Sequence, residues 1–186
     1  MSQINYSIIN NLLKHNNHIR GLAKDLNTNQ TTIARKVKEL ANANIVDFQI
    51  QGKNKTYFLK KTLEAKEFLL LLEHNKLLEF LKKHPLLRNI IESIKNNNKV
   101  KCAVLFGSYA KQSAKKTSDI DIFIETNSLN LKQEIMLLDS KLSIKTGKFK
   151  KDNLLIKEII RNHIIIKGVE RYYEQIFDEI NFWRKN

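Results

Sequence analysis

One spacing constrains this chain more than any other feature. An apolar run, Val100 to Phe106, leads into Gly107-Ser108. Ten residues follow, 109 to 118, and then Asp119-Ile120-Asp121-Ile122-Phe123-Ile124-Glu125 alternates carboxylate with apolar side chains. The run predicts a buried strand, and the alternation predicts a second strand with one wet face. Two carboxylates two residues apart on a strand project from the same face. Glycine between the strands permits a tight turn and a close approach of backbone to a ligand. An isolated Asp-x-Asp reads as an ordinary exposed strand edge; a Gly-Ser pair at this distance upstream is what sets it apart.

The stretch Leu105-Phe106-Gly107-Ser108-Tyr109-Ala110-Lys111, running on to Thr117-Ser118-Asp119-Ile120-Asp121-Ile122-Phe123-Ile124, resembles the motif of DNA polymerase beta-like nucleotidyltransferases, especially the minimal prokaryotic kind. The resemblance covers about the last 85 residues. It implies a small mixed-sheet fold that transfers a nucleoside monophosphate from an NTP, with ATP expected, to an acceptor, releasing pyrophosphate. It further implies Asp119 and Asp121 as catalytic residues and Mg²⁺ ligands, since carboxylate and triphosphate oxygens suit a hard cation. Gly107, Ser108, Lys111 and Ser118 are the matching nucleotide-binding candidates, while Lys115 and Lys116 read equally as a solvated basic loop. Two positions depart from the family pattern. Gln112 stands where a glycine is usual. Catalytic members also carry a third carboxylate on a later strand, but Leu142 to Phe149 contains no acid. Glu125 lies four residues beyond Asp121, roughly 13 Å along the strand. Asp139 and Asp152 fall in expected helices.

Upstream, the pattern changes. Residues 3–42 carry helical spacing in three short runs, broken at Asn16-Asn17 and at Asn27 to Asn29, where Thr28 or Asn29 can cap the next helix. Ile33, Val37 and Leu40 form the buried face of the third helix. Residues 45–60 alternate as a hairpin around Gln51 to Lys55. Three helices and a basic hairpin resemble a winged helix-turn-helix. That resemblance implies DNA contact by Thr31, Thr32, Arg35 and Lys36 in a groove, with Lys53 and Lys55 on phosphates. Such folds also serve as protein-docking or dimerisation modules, and because they commonly dimerise on DNA a homodimer is one expected state.

Residues 62–97 return to helix, with Pro85 starting a second one. The expected division is therefore 1–61 winged helix-turn-helix, 62–99 helical connector and 100–186 nucleotidyltransferase domain, an α+β chain. Helices are expected at 130–142, 152–162 and 169–182, and strands near 144–149 and 164–166. The stretch Lys157 to Gly168 is similar to the closing segment of members that fuse a winged helix to this domain; His163 there reads as a structural residue. The net charge of +14 suits a polyanionic partner. It is densest in residues 1–61, with ten basic and three acidic side chains. An AT-rich coding genome, which biases the chain toward lysine and asparagine, would produce part of it. The single cysteine, Cys102, reads as a buried strand residue and excludes an internal disulfide. With no basic-then-apolar leader and no membrane-length apolar run, a cytoplasmic protein is expected. Two functions compete. One is a Mg²⁺-dependent nucleotidyltransferase, with a small helical protein as one possible acceptor and RNA as a weaker one. The other is a DNA-binding regulator whose nucleotidyltransferase fold is catalytically degenerate and senses nucleotide or docks a partner.

Overall fold

A computed structural model of the chain describes residues 2–52, 54–150 and 153–176. The chain divides into two compact units, Met1–Leu72 and Glu73–Asn186. Among the described residues no helix is long and apolar enough to cross a membrane.

The first unit opens with α1 (Gln3–Leu12), β1 (Asn17–His18), α2 (Ile19–Asp25) and α3 (Gln30–Asn42). The hairpin β2 (Val46–Gln51) and β3 (Asn54–Leu59) follows, and α4 (Leu63–Lys83) begins in this unit. The sheet order is β1-β3-β2, antiparallel throughout. The asparagine breaks act as expected. Asn29 caps α3 by accepting the Thr32 N–H at 2.7 Å, satisfying one of the helix's orphan donors. Ile33, Val37 and Leu40 are buried on the inner face of α3, beside Ile8, Ile9 and Leu12 of α1 and Leu22 of α2. Asn17 is a buried polar side chain and is fully committed. Its Nδ2 donates to Asn11 Oδ1 at 3.1 Å and to Asp25 Oδ2 at 3.0 Å, and its Oδ1 accepts the His18 N–H at 2.9 Å. Any side chain at Gly21 would sit 2.0 Å from that Oδ1, so the α1–α2 corner requires glycine there.

In the second unit, Pro85 begins a short 3₁₀ turn (Pro85–Leu87) that leads into α5 (Arg88–Asn96). Next come β4 (Ala103–Leu105), α6 (Gly107–Ala110), β5 (Ile120–Glu125), α7 (Leu129–Met136), β6 (Leu142–Gly147), α8 (Leu154–Arg161), β7 (Ile164–Lys167) and α9 (Val169–Ile176). The sheet is mixed, in the order β6-β5-β4-β7. β5 and β6 are parallel, while β4 is antiparallel to both β5 and β7. Ile90, Ile91 and Ile94 of α5 and Leu131 and Ile135 of α7 pack with Ala103, Leu105, Ile120, Ile122, Ile124, Leu142 and Ile144 in one core.

Several expected bounds shift for visible reasons. The strand expected from Val100 is laddered only over Ala103–Leu105. Cys102 still contributes its carbonyl to the Glu125 N–H at 3.0 Å. The helix expected to reach 142 stops at Met136, because Lys141 and Leu142 are taken up by pairing with Ile120. Residues 177–182 of the last expected helix lie outside the described residues, as do Lys53 and Asp152.

One buried network belongs to this unit. Glu73 of α4 is fully buried. Its Oε1 accepts from Lys76 Nζ at 2.7 Å and from the Tyr173 hydroxyl at 2.8 Å. His163 Nε2 lies 3.6 Å from Glu73 Oε2, an ion-pair separation rather than a hydrogen bond. Burial pushes the Glu73 carboxyl up, but the His163 and Lys76 contacts outweigh it and hold the group at about 2. His163 also engages Ile159 O and the Tyr172 hydroxyl through Nδ1, each at 3.0 Å, which is the structural role expected of it. Cys102 is buried, and burial pushes its thiol up to about 12; it is an unreactive core thiol.

Candidate active site

β4 delivers the Gly-Ser turn onto the start of β5. The Phe106 N–H donates to the Asp121 carbonyl at 2.9 Å, which aligns the two strands. Gly107 then turns at φ +68 into the short helix α6. A methyl group at Gly107 would lie 2.3 Å from Asp121 Oδ2 and 3.1 Å from its Cγ. Both the left-handed backbone and the contact therefore demand glycine. The Asp121 carboxylate packs directly on the bare Cα of Gly107, and the two together make a glycine cradle.

Asp121 lies within β5 and is half-buried, whereas Asp119 is exposed and sits one residue before the strand begins. Their two-residue offset along extended chain, about 7 Å, keeps the carboxylates on one side. Burial pushes the Asp121 carboxyl above its ordinary value. The neighbouring Ser143 side chain draws it back down, Asp119 raises it, Lys145 lowers it and Glu158 raises it. Those influences describe the neighbourhood. Ser143 pairs with Asp121 across the β5–β6 ladder, and Lys145 lies two residues further along β6. The strand where the family places a third carboxylate thus brings a hydroxyl and an ammonium toward Asp121.

The other expected residues divide. Ser108 is half-buried in α6, its carbonyl accepting the Ser113 N–H at 2.9 Å. Ser118 closes the loop before Asp119, its Oγ accepting the Lys115 N–H at 2.9 Å. Lys111, at the end of α6, is paired with Glu158 Oε1 at 2.6 Å. Tyr109 anchors α6 by edge contacts with Phe80 and His84, at 6.3 and 5.2 Å between ring centres. Gln112 takes φ +57, the conformation glycine adopts without cost, and its side-chain carbonyl accepts from Lys83 Nζ at 2.9 Å. Glu125 is withdrawn from the site into a two-pronged pair with Arg171, and Asp139 accepts the Lys141 N–H at 2.8 Å. Glu158 is the residue that motif reading passed over. It lies in the Lys157 to Gly168 segment, but nothing in sequence spacing ties α8 to α6.

Two carboxylates opposite a bare glycine fit a divalent cation by donor chemistry. Among the described residues no three His, Cys, Asp or Glu side chains gather into a metal-holding group.

In the first unit, Thr31 and Arg35 are exposed on α3, and Thr32 is half-buried at the cap. Arg35 and Lys36 both reach Glu39, at 2.9 and 2.7 Å. Lys55 Nζ lies 4.1 Å from the centre of the Phe48 ring. His18, Arg20, Gln30, Lys55 and Tyr57 line a hollow of about 450 Å³ between α2, the start of α3 and β3.

Residues 88–172 match the family described as polymerase beta, nucleotidyltransferase. Two proteins of Methanocaldococcus jannaschii, each named "putative protein adenylyltransferase", are similar to the chain. The first is 35% identical over 92 residues, spanning 50% of this chain and 86% of the relative. The second is 47% identical over 47 residues, or 25% of this chain and 48% of the relative. The glycine cradle, the Asp-x-Asp strand and the mixed sheet fall inside the matched stretch, and the chain belongs to the polymerase beta-type nucleotidyltransferase family.

Proposed function

We propose that the chain transfers a nucleoside monophosphate from ATP, with Mg²⁺, to an acceptor hydroxyl. The observation that carries this reading is the contact between Gly107 and Asp121. Only glycine, held at φ +68, lets the Gly-Ser turn lie directly against the Asp121 carboxylate, which puts the turn's N–H groups and the carboxylates of β5 at one place. Asp119 and Asp121 would hold the cation, which when bound neutralises charge on the triphosphate and orients the attacking and leaving oxygens. Gly107 and Ser108 offer backbone N–H groups to phosphate oxygens. Ser118 shapes the loop that presents Asp119, and Lys111 adds a cation at the rim. The relatives' printed name points to a protein acceptor, and the small helical partner fits that class.

We further propose that residues 1–61 form a winged helix-turn-helix contacting DNA, joined through residues 62–99 to the catalytic domain at 100–186. Three helices, a β1-β3-β2 sheet and the basic hairpin support this, with Thr31, Thr32 and Arg35 available on α3. Lys36, its side chain only 13% exposed and paired with Glu39, is a weaker contact than its sequence position implies.

A second reading has its own support. Ser143 and Lys145 on β6, in place of an acid, favour a regulator that binds nucleotide without turning it over. Incubating the chain with Mg²⁺, labelled ATP and candidate acceptor proteins separates the two. Transfer that disappears in the Asp119→Asn/Asp121→Asn variant supports the enzyme. ATP binding without transfer to any acceptor supports the regulator.

A further inference from the structure

We propose that Glu158 is the acceptor-activating carboxylate of this site, held in reserve by Lys111 until a triphosphate draws that lysine away. The inference rests on the nucleotidyl-transfer reading above and concerns a residue from outside the Gly-Ser and Asp-x-Asp motifs.

β6 leaves a gap in the chemistry. Ser143 and Lys145 occupy the strand beside Asp121, and neither can take a proton as a carboxylate does. Glu125 and Asp139 are committed elsewhere, to Arg171 and to the Lys141 N–H. Glu158 is different. Ile156 and Ile159 bury the inner face of α8 and leave Glu158 half-exposed. From there its Oε1 reaches Lys111 Nζ at 2.6 Å. Lys111 caps the end of α6, its N–H donating to the Gly107 carbonyl at 3.1 Å, and Gly107 is the residue packed on Asp121. The Glu158 carboxylate is therefore tethered beside the turn that Gly107 opens.

The tether is exchangeable. Both partners are about two-fifths exposed, at 44% and 41%, and exposed ion pairs are weak. A triphosphate bearing several negative charges competes strongly for Lys111. Once Lys111 moves to phosphate, Glu158 has lost its cation and is free to take up the acceptor hydroxyl. In the step that follows, the Glu158 carboxylate takes the acceptor hydroxyl's proton. The hydroxyl oxygen bonds to the α-phosphorus, the bond from that phosphorus to the bridging oxygen breaks, and pyrophosphate leaves with the electron pair. The proton then passes from Glu158 to solvent.

This arrangement gives the two partners opposite effects on nucleotide affinity, which a purely structural ion pair does not. Mg²⁺-ATP binding is measured by calorimetry and AMP transfer by label, for the wild type, Glu158→Gln, Glu158→Asp and Lys111→Gln. Glu158→Gln should bind ATP about two- to fivefold more tightly, because Lys111 is freed, yet lose transfer by about 100-fold or more. Glu158→Asp should recover part of the transfer. Lys111→Gln should bind ATP more weakly. Glu158→Gln and Lys111→Gln shifting affinity in the same direction would overturn the proposal, and so would Glu158→Gln transferring at the wild-type rate. A wild type that binds no Mg²⁺-ATP overturns the nucleotidyl-transfer reading itself. That failure differs from the failure of Glu158 alone, in which the wild type binds and transfers.

Discussion

Two residues with left-handed backbones, five positions apart, are expected to respond in opposite ways to substitution. Gly107→Ala places a methyl 2.3 Å from Asp121 Oδ2 at φ +68. We expect it to cost about 1–3 kcal/mol of stability and to abolish ATP binding, measured by urea denaturation and calorimetry. Gln112 already bears the strain of φ +57. Gln112→Gly should therefore raise stability, by about 1 kcal/mol, despite losing an exposed bond to Lys83. Glycine at 107 was legible in the sequence because its role follows from spacing to Asp-x-Asp. The Lys111–Glu158 pair was not, because its two residues lie 47 apart in sequence and no motif spacing links them. Residue type marks Glu158 as helical and charged, and tertiary placement alone brings it to the site.

At the scale of elements, helix periods and asparagine punctuation carried most of the information. α4 runs over Leu63–Lys83, inside the stretch 62–97 expected to return to helix, and Asn29, one of the two cap candidates, caps α3. Bounds failed where a neighbouring strand competed for residues, as when Leu142 left α7 for β6. The hairpin tip carries its own prediction. If β2 and β3 form a wing on DNA, Lys53→Ala/Lys55→Ala should lower DNA affinity. It should also reduce the slope of log affinity against log salt by about 1–2, read from fluorescence titrations at several salt concentrations. Unchanged affinity and slope would point instead to a docking or dimerisation role for the first unit.

At the scale of the whole molecule, one buried network outside the Asp-x-Asp motif bears on stability. Glu73, buried and ionised, joins α4 to Tyr173 and His163. Its carboxyl is held at about 2, against 4.5 as the ordinary value. Ionised Glu73 therefore adds stability that is fully present above pH 4.5 and is lost as pH falls toward 2. The linked contribution is on the order of 3 kcal/mol. Glu73→Gln should be less stable than wild type at pH 7, and its melting temperature should fall less steeply between pH 5 and 2. The central claim concerns the cradle of Gly107, Asp119 and Asp121, and it is tested most directly by the position of the label in ATP. With Mg²⁺ and an acceptor present, α-phosphate label should become covalently attached, γ-phosphate label should appear only in pyrophosphate, and Asp121→Asn should abolish both. Attachment of γ-label, or α-label transfer that survives Asp121→Asn, would contradict the account.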